Sequence, residues 1–269
     1  MNRCTLKIGN IKITFYSEQK AWFTLIKKNY RYFVSKTTSN YKVFIKNSKP
    51  SNKLKNPLVK TKGGKLEILR SDFESFSENN LSSTSLSILK NKYSLDSWLR
   101  IYFTLISMQN SGFLLHSSGI ALNKSQAYIF PGISGQGKST IIKILGKASA
   151  LSDELVYVYQ KGKVTRVSST PFWGELKKGN TEIYDAKLNR ICFINHGMNS
   201  LKVIPGNKAL KKLLKTVLFF SKEPADMKKL LFLVSNAAFT VAAYDFYFRL
   251  GSSKKGLITL LKNGDKHGN

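Results

Sequence analysis

Apolar and polar residues alternate at the start of the chain. Ile8, Ile11, Ile13 and Phe15 mark strand-like pieces within Lys7–Tyr16, and Tyr41-Lys-Val-Phe-Ile45 marks another at the end of Arg31–Ile45. Between them Ala21–Lys28 predicts a short helix. Lys46–Lys65, with Pro50, Pro57 and many lysines, predicts an exposed loop or hairpin edge. The clearest helix is Ser94–Asn110, where Leu95, Trp98, Ile101, Tyr102, Leu105 and Met108 make one apolar face. Ser94 is placed to cap it and Gly112 to terminate it. Phe113–Leu122 then predicts a strand, Asn123-Lys124 a turn, and Gln126–Phe130 a second strand. Ile141, Ile142, Ile144 and Leu145 follow at helical spacing, with Gly146 at the end. Leu155–Tyr159 and Val164–Val167 flank Lys161-Gly162-Lys163, a hairpin pattern, and Ala209–Phe220 and Asp226–Ser235 predict helices. The most apolar stretch, Leu230–Phe248, is interrupted by Ser235, Asn236, Thr240 and Asp245. It predicts a buried helix followed by a buried strand rather than a membrane span.

Between the strand at Gln126–Phe130 and the helix lies Pro131-Gly-Ile-Ser-Gly-Gln-Gly-Lys-Ser-Thr140. Gly132, Gly137, Lys138 and Ser139 match G-x-x-x-x-G-K-[ST] without a mismatch. The chemistry explains the residues. Backbone N–H groups from Gly132 through Ile133, Ser134, Gly135, Gln136 and Gly137 must turn inward to cradle phosphate oxygens, and glycine permits that path. Lys138 brings a point charge to the β- and γ-phosphates, and the Ser139 hydroxyl can ligate Mg²⁺. The helix expected from Thr140 onward directs its positive end at the anion. The expected ligands are therefore ATP and Mg²⁺.

Three further groups stand near the loop in sequence. His116 lies on the preceding strand, Asp153-Glu154 follows the loop helix, and Glu175 ends Pro171-Phe-Trp-Gly-Glu. A carboxylate beside a phosphate loop can hold the metal or accept a proton from an attacking hydroxyl, and two adjacent ones can divide those tasks. Phe172 and Trp173 read as core. The chain lacks N-K-x-D and L-S-G-G-Q, which argues against a guanine-specific GTPase and a transporter ATPase.

Composition adds a strongly basic balance, with 44 Lys and Arg against 15 Asp and Glu over 269 residues, a formal charge of +29. No acidic residue falls between Glu18 and Glu67. Such a surface attracts nucleic acid, anionic membrane or an acidic peptide. Lysine is also used throughout, as in Lys46–Lys55, so charge alone does not identify a nucleic-acid partner. Cys4 and Cys192 form no metal-binding or redox motif, and the N-terminus has no apolar secretory core, so a reducing, cytoplasmic setting is expected. Monomer and oligomer are both open. There are no internal repeats. A shift near residue 93 divides a small N-terminal α+β lobe, 1–93, from a phosphate-loop domain, 94–269, whose C-terminal part is helical.

His116-x-Ser-Gly, a hairpin, G-x-S-G-x-G-K-S, about 15 residues, then Ser-Asp153-Glu154 and Pro-Phe-x-Gly-Glu175 resembles the C-terminal domain of the HPr serine kinase/phosphorylase family, most of all its short kinases found beside peptide-modification systems. The specific likeness covers His116–Glu175. It implies an α/β core of the HPr kinase/phosphoenolpyruvate carboxykinase type and ATP- and Mg²⁺-dependent phosphorylation of a serine on a peptide or small protein. It implies Gly132–Thr140 on the phosphates, Ser139 on the metal and Asp153 as general base. Glu154 and Glu175 would be ligands of metal or water, and His116 would line the phosphate site. The chain departs from the family in having Asp153-Glu154 for two aspartates and Thr140 for Glu. It also lacks Arg-Gly-x-Gly-Ile, which removes the basis for expecting phosphorylase activity or HPr as substrate. A nucleotide-dependent binding module acting on nucleic acid or protein, without phosphoryl transfer, is the competing expectation.

Overall fold

At Gly9 the backbone takes φ +59° and folds Asn2–Ile8 (β1) back onto Ile11–Ser17 (β2), so that Ile8, Ile11, Ile13 and Phe15 are buried. The computed structural model describes all residues except 1, 38, 49, 51, 63, 79, 177–184 and 264–269. It is a mixed α/β protein with two large sheets and, among the described residues, six α-helices. None of those helices is long and apolar enough to cross a membrane. The chain divides into two compact units, Met1–Asn110 with Phe219–Lys229, and Ser111–Leu218 with Leu230–Asn269.

In the first unit, Lys20–Tyr30 (α1) extends the predicted helix by a residue or two at each end. Val34–Ser35 (β3), Tyr41–Asn47 (β4), Leu58–Lys62 (β5), Lys65–Arg70 (β6), Phe73–Glu78 (β7) and Ser83–Ile88 (β8) complete a sheet ordered β3-β1-β2-β4-β8-β7-β6-β5. β4 pairs in parallel with β2 and β8, and the other pairings are antiparallel. The expected loop over Lys46–Lys65 lies partly outside the described residues; within it, β5 is the edge strand of a hairpin with β6.

Lys92–Gln109 (α2) carries the predicted apolar face, and all six of its face residues are buried. Trp98 stacks on Tyr102 at 4.7 Å, meets Phe15 edge-on, and donates its indole N–H to Ser75 Oγ at 2.9 Å. The ends of α2 correct the sequence reading. Asn91, not Ser94, is the N-cap: its side chain accepts from the Ser94 N–H at 2.9 Å, and Ser94 itself is buried. After the helix, Ser111 takes the left-handed conformation at φ +56°, while Gly112 already begins the next strand.

Gly112 is glycine for another reason. A Cβ there would lie 2.5 Å from Tyr157 Cε2, 2.6 Å from Tyr159 Cβ and 2.6 Å from the Val158 carbonyl. The carbonyl and Cβ belong to a paired strand and cannot swing aside. Gly112→Ala is therefore expected to destabilise the second unit near the upper end of the about 1–3 kcal/mol typical of overpacking. A urea titration followed by circular dichroism measures this, and an unchanged midpoint would show that the strands part freely.

The second unit contains Gly112–Asn123 (β9), Gln126–Pro131 (β10), Lys138–Leu145 (α3), Ala150–Ser152 (β11), Leu155–Lys161 (β12) and Val164–Ser168 (β13). It continues with Asp185–His196 (β14), Ser200–Ile204 (β15), Gly206–Leu214 (α4), Val217–Leu218 (β16), Ala242–Phe248 (β17) and Lys254–Asn263 (α6). Pro224–Thr240 (α5), longer than the predicted Asp226–Ser235, begins in the first unit and continues in the second. The helix expected over Ala209–Phe220 stops at Leu214. There the Thr216 N–H and hydroxyl both donate to the Leu213 carbonyl at 2.8 Å, and Val217-Leu218 pairs with β9.

The long strands β9 and β14 each serve two neighbourhoods. β10 pairs with both, β9 pairs with β12, β12 with β13, and β13 with β14, so the pairings close into a ring. β14 continues into a parallel pairing with β17, to which β15 adds antiparallel. Ile141, Ile142 and Leu145 of α3 pack with Tyr128, Phe130, Cys192, Phe246 and Phe248. This core fixes the start of α3 at the end of β10.

Candidate functional site

β10 ends at Pro131, and after six intervening residues the chain enters a helix at Lys138. Gly135 and Gly137 both adopt φ +84°, which bends the backbone around a hollow. The turn closes tightly at Gly132, where a Cβ would sit 2.3 Å from Gln136 Oε1. That same oxygen accepts from the Ile133 N–H at 3.1 Å. Lys138 Nζ reaches back across the loop to the Ile133 carbonyl at 2.7 Å. The helix begins two residues earlier than the expected Thr140, so Lys138, Ser139 and Thr140 form its first turn and direct their N–H groups into the hollow.

The loop opens onto a cavity of about 770 Å³ whose lining lies entirely in the second unit. Gly132, Ile133, Ser134, Gly135, Gly137, Lys138, Ser139 and Thr140 line it, together with His116, Asp153, Glu154 and Glu175. Gln136 is the one expected loop residue outside the lining, because its side chain is turned back on the loop. His116 is pinned from both sides: its N–H donates to the Thr216 carbonyl at 2.7 Å and its carbonyl accepts from the Gly132 N–H at 3.1 Å. Next along β9, the Ser117 N–H donates to the Glu154 carbonyl at 3.0 Å, which ties the Asp153-Glu154 turn to the same strand.

Electrostatics join the lysine to the carboxylates. Burial lowers the Lys138 pKa below its ordinary value, and the charges of Glu154 and Asp153 act in the opposite direction. Asp153 itself is only 3% exposed. Its Oδ1 accepts from the Gly174 N–H at 2.9 Å and its Oδ2 from the Leu176 N–H at 2.8 Å. A strap from Pro171 to Leu176 is thereby latched beside the loop. Gly174 keeps the latch short, since a Cβ there would lie 3.3 Å from Asp153 Oδ2. Ser152 adds to the latch: its Oγ accepts from the Glu154 and Leu155 N–H groups at 3.1 Å and donates to the Phe172 carbonyl at 3.4 Å.

Glu175 points outward and pairs with Lys143 at 3.1 Å, with both side chains more than half exposed. Such a pair contributes under about 1 kcal/mol and leaves the carboxylate available to other cations. Phe172 is fully buried, and Trp173 packs partly buried against the core. Among the described residues no group of three or more His, Cys, Asp or Glu could hold a metal by itself. Mg²⁺ does not require one, because it is commonly held by one or two protein oxygens, phosphates and water. The donor set of Ser139 and Glu154 beside a glycine-lined hollow suits that arrangement.

The structure adds Gly174, His196, Lys215, Phe248 and Leu250 to the lining. His196 and Phe248 end β14 and β17, where they are register partners. The ends of parallel strands are a common place for ligands in α/β sheets. That signal could be used only once β14 and β17 were known to be neighbours. Lys215 was hidden by the expectation of a continuous helix through Phe220. Comparison with protein-family models finds no match for this chain, and comparison with curated proteins finds none.

Proposed function

We propose that the chain is an ATP- and Mg²⁺-dependent serine kinase of the HPr kinase-like type, acting on a peptide or small protein. The observation that carries this reading is one cavity that the loop residues Gly132–Thr140, all but Gln136, line together with Asp153 and Glu154. Gly132–Thr140 would form the phosphate site through the Lys138 charge and the backbone N–H groups that follow Ile133, since the Gly132 N–H, expected to turn inward, is bonded to the His116 carbonyl and the Ile133 N–H to Gln136 Oε1, while Ser139, with Glu154 or Glu175, would hold the metal. Bound Mg·ATP supplies the γ-phosphoryl group and the charge that draws electrons from it. Asp153 would take the proton from the acceptor serine Oγ as that oxygen bonds to the γ-phosphorus and the bond from phosphorus to the β,γ-bridging oxygen breaks, with ADP leaving. Each of its oxygens keeps a second lone pair beyond the backbone hydrogen bond it accepts. His116 lines the transfer path. Lys27, Lys28, Arg31, Lys36, Lys42 and Lys46 of the first unit are all exposed, which supports steering of an acidic acceptor.

One observation favours the second reading, a nucleotide-dependent binding module: both oxygens of Asp153 already serve as a backbone latch. Quantitative phosphoserine profiling of cells carrying wild type or Lys138→Ala separates the two. The kinase reading expects at least one phosphoserine that depends on Lys138. Nucleotide binding without any such site would overturn it in favour of the module.

A further inference from the structure

The cavity has two unlike sides because β10, which carries the phosphate loop, lies between β9 and β14. On the β9 side stand His116, Asp153, Glu154 and Lys215, a polar and charged wall. On the side of β14 and β17 stand His196, Phe248 and Leu250, none of them a carboxylate. This second side is continuous with the loop. A Cβ on Gly137 would lie 3.7 Å from Ile194 Cγ2 and 3.8 Å from Phe248 Cζ, so the aromatic ring is the floor on which the loop rests. His196 sits at the edge of that floor, its ring centroid 6.3 Å from that of Phe248.

The rim is also built. The Gly197 N–H donates to the Phe248 carbonyl at 3.3 Å. Asn199 Oδ1 accepts from the Arg249 N–H at 3.3 Å and from Ser252 Oγ at 2.8 Å. The turns that follow β14 and β17 are therefore tied to each other, and they present the exposed His196 and the 77% exposed Leu250 at the mouth of the cavity. A flat imidazole and a branched alkyl chain over a phenyl floor are poor partners for phosphate. They suit the face of an aromatic heterocycle.

We propose that His196 and Leu250, backed by Phe248, form the shelf on which the nucleobase lies when the phosphates occupy Gly132–Thr140. This assignment rests on the phosphate-loop reading above. It also leaves the charged β9 side for the acceptor, so donor base and acceptor serine approach from opposite flanks of β10. Stacking of a base on an aromatic side chain is worth about 1–3 kcal/mol, or roughly 5- to 150-fold in affinity.

The test uses calorimetry with Mg²⁺ and two probes, ATP and inorganic tripolyphosphate, on wild type, His196→Ala and Leu250→Ala. Both substituted side chains are exposed, so folding is not at stake. The expected result is that His196→Ala lowers the ratio of ATP affinity to tripolyphosphate affinity about five- to tenfold, in the lower part of that stacking range, that Leu250→Ala lowers it in the same direction, and that tripolyphosphate binding is unchanged in both. An unchanged ratio in both variants would overturn the shelf while leaving the phosphate loop intact. Failure of wild type to bind either probe would overturn the phosphate-loop reading itself, and the shelf with it.

Discussion

Lys138→Ala is expected to weaken Mg·ATP binding by about 10- to 150-fold. That is the equivalent of the roughly 1.5–3 kcal/mol carried by hydrogen bonds to charged groups. The Lys138 ammonium is aimed across the loop at the Ile133 carbonyl, 2.7 Å away, and needs no large movement to meet a phosphate in the hollow. The other cations are placed differently. Lys143 is engaged with Glu175 on the outside, and Lys215 lines the β9 side of the cavity. A pH series adds a second check. Burial lowers the Lys138 pKa, so its charge is lost at a lower pH than that of an ordinary exposed lysine, even with Glu154 and Asp153 opposing the shift. Wild-type affinity should therefore decline towards alkaline pH, and the Lys138→Ala variant should not show that decline. Calorimetry giving equal affinities for the two proteins would remove the phosphate loop from the proposed function.

Asp153→Asn should lower phosphoryl transfer by about 10²–10⁴-fold, the usual contribution of a positioned base. The substitution is not silent in structure. Asparagine keeps one acceptor oxygen but turns an amide N–H₂ towards either the Gly174 or the Leu176 N–H, so one bond of the latch becomes a donor facing a donor. The strap carrying Trp173 should loosen, visible as a change in tryptophan emission that vanishes in a Trp173→Phe background. Turnover is read as ADP release with the acceptor identified by the phosphoserine comparison, and Mg·ATP affinity by calorimetry. The proposed base role predicts lost turnover with retained nucleotide affinity. Lost nucleotide affinity with normal turnover at saturation would move Asp153 to the metal and Glu154 to catalysis.

The strand, glycine loop and helix from β10 to α3 were legible because their constraints are local. Gly135 and Gly137 take positive φ, a Cβ on Gly132 would displace the Gln136 side chain, and Lys138 and Ser139 sit in the first turn of one helix. All of this is written within a few residues. The same holds for β2, where alternation suffices, for β12 with β13, where strand formers flank a tight turn, and for the buried face of α2. The strands β7 and β8 were not legible. Their inward positions include Ser75, Ser77 and Thr84, buried hydroxyls that bond Trp98, one another and Tyr102, so the apolar alternation is interrupted in the sequence.

Other features were decided by tertiary contact. Ser94 resembles a cap in sequence, but Asn91 reaches its N–H first. Thr216 stops a helix that helical spacing would continue, because β9 offers Val217-Leu218 a partner and the Thr216 carbonyl a donor in His116. Asp153 could be chosen as a carboxylate near the loop, yet its grip on Gly174 and Leu176 spans more than twenty residues and follows no spacing rule. His196 and Phe248 became neighbours only through the parallel pairing of β14 and β17. The sequence by itself determined the glycine loop between β10 and α3 and the short-range turns, because backbone dihedrals and helix ends are set by adjacent residues. Only the tertiary structure decided which distant side chains share the cavity, because strand pairing and burial join residues far apart along the chain.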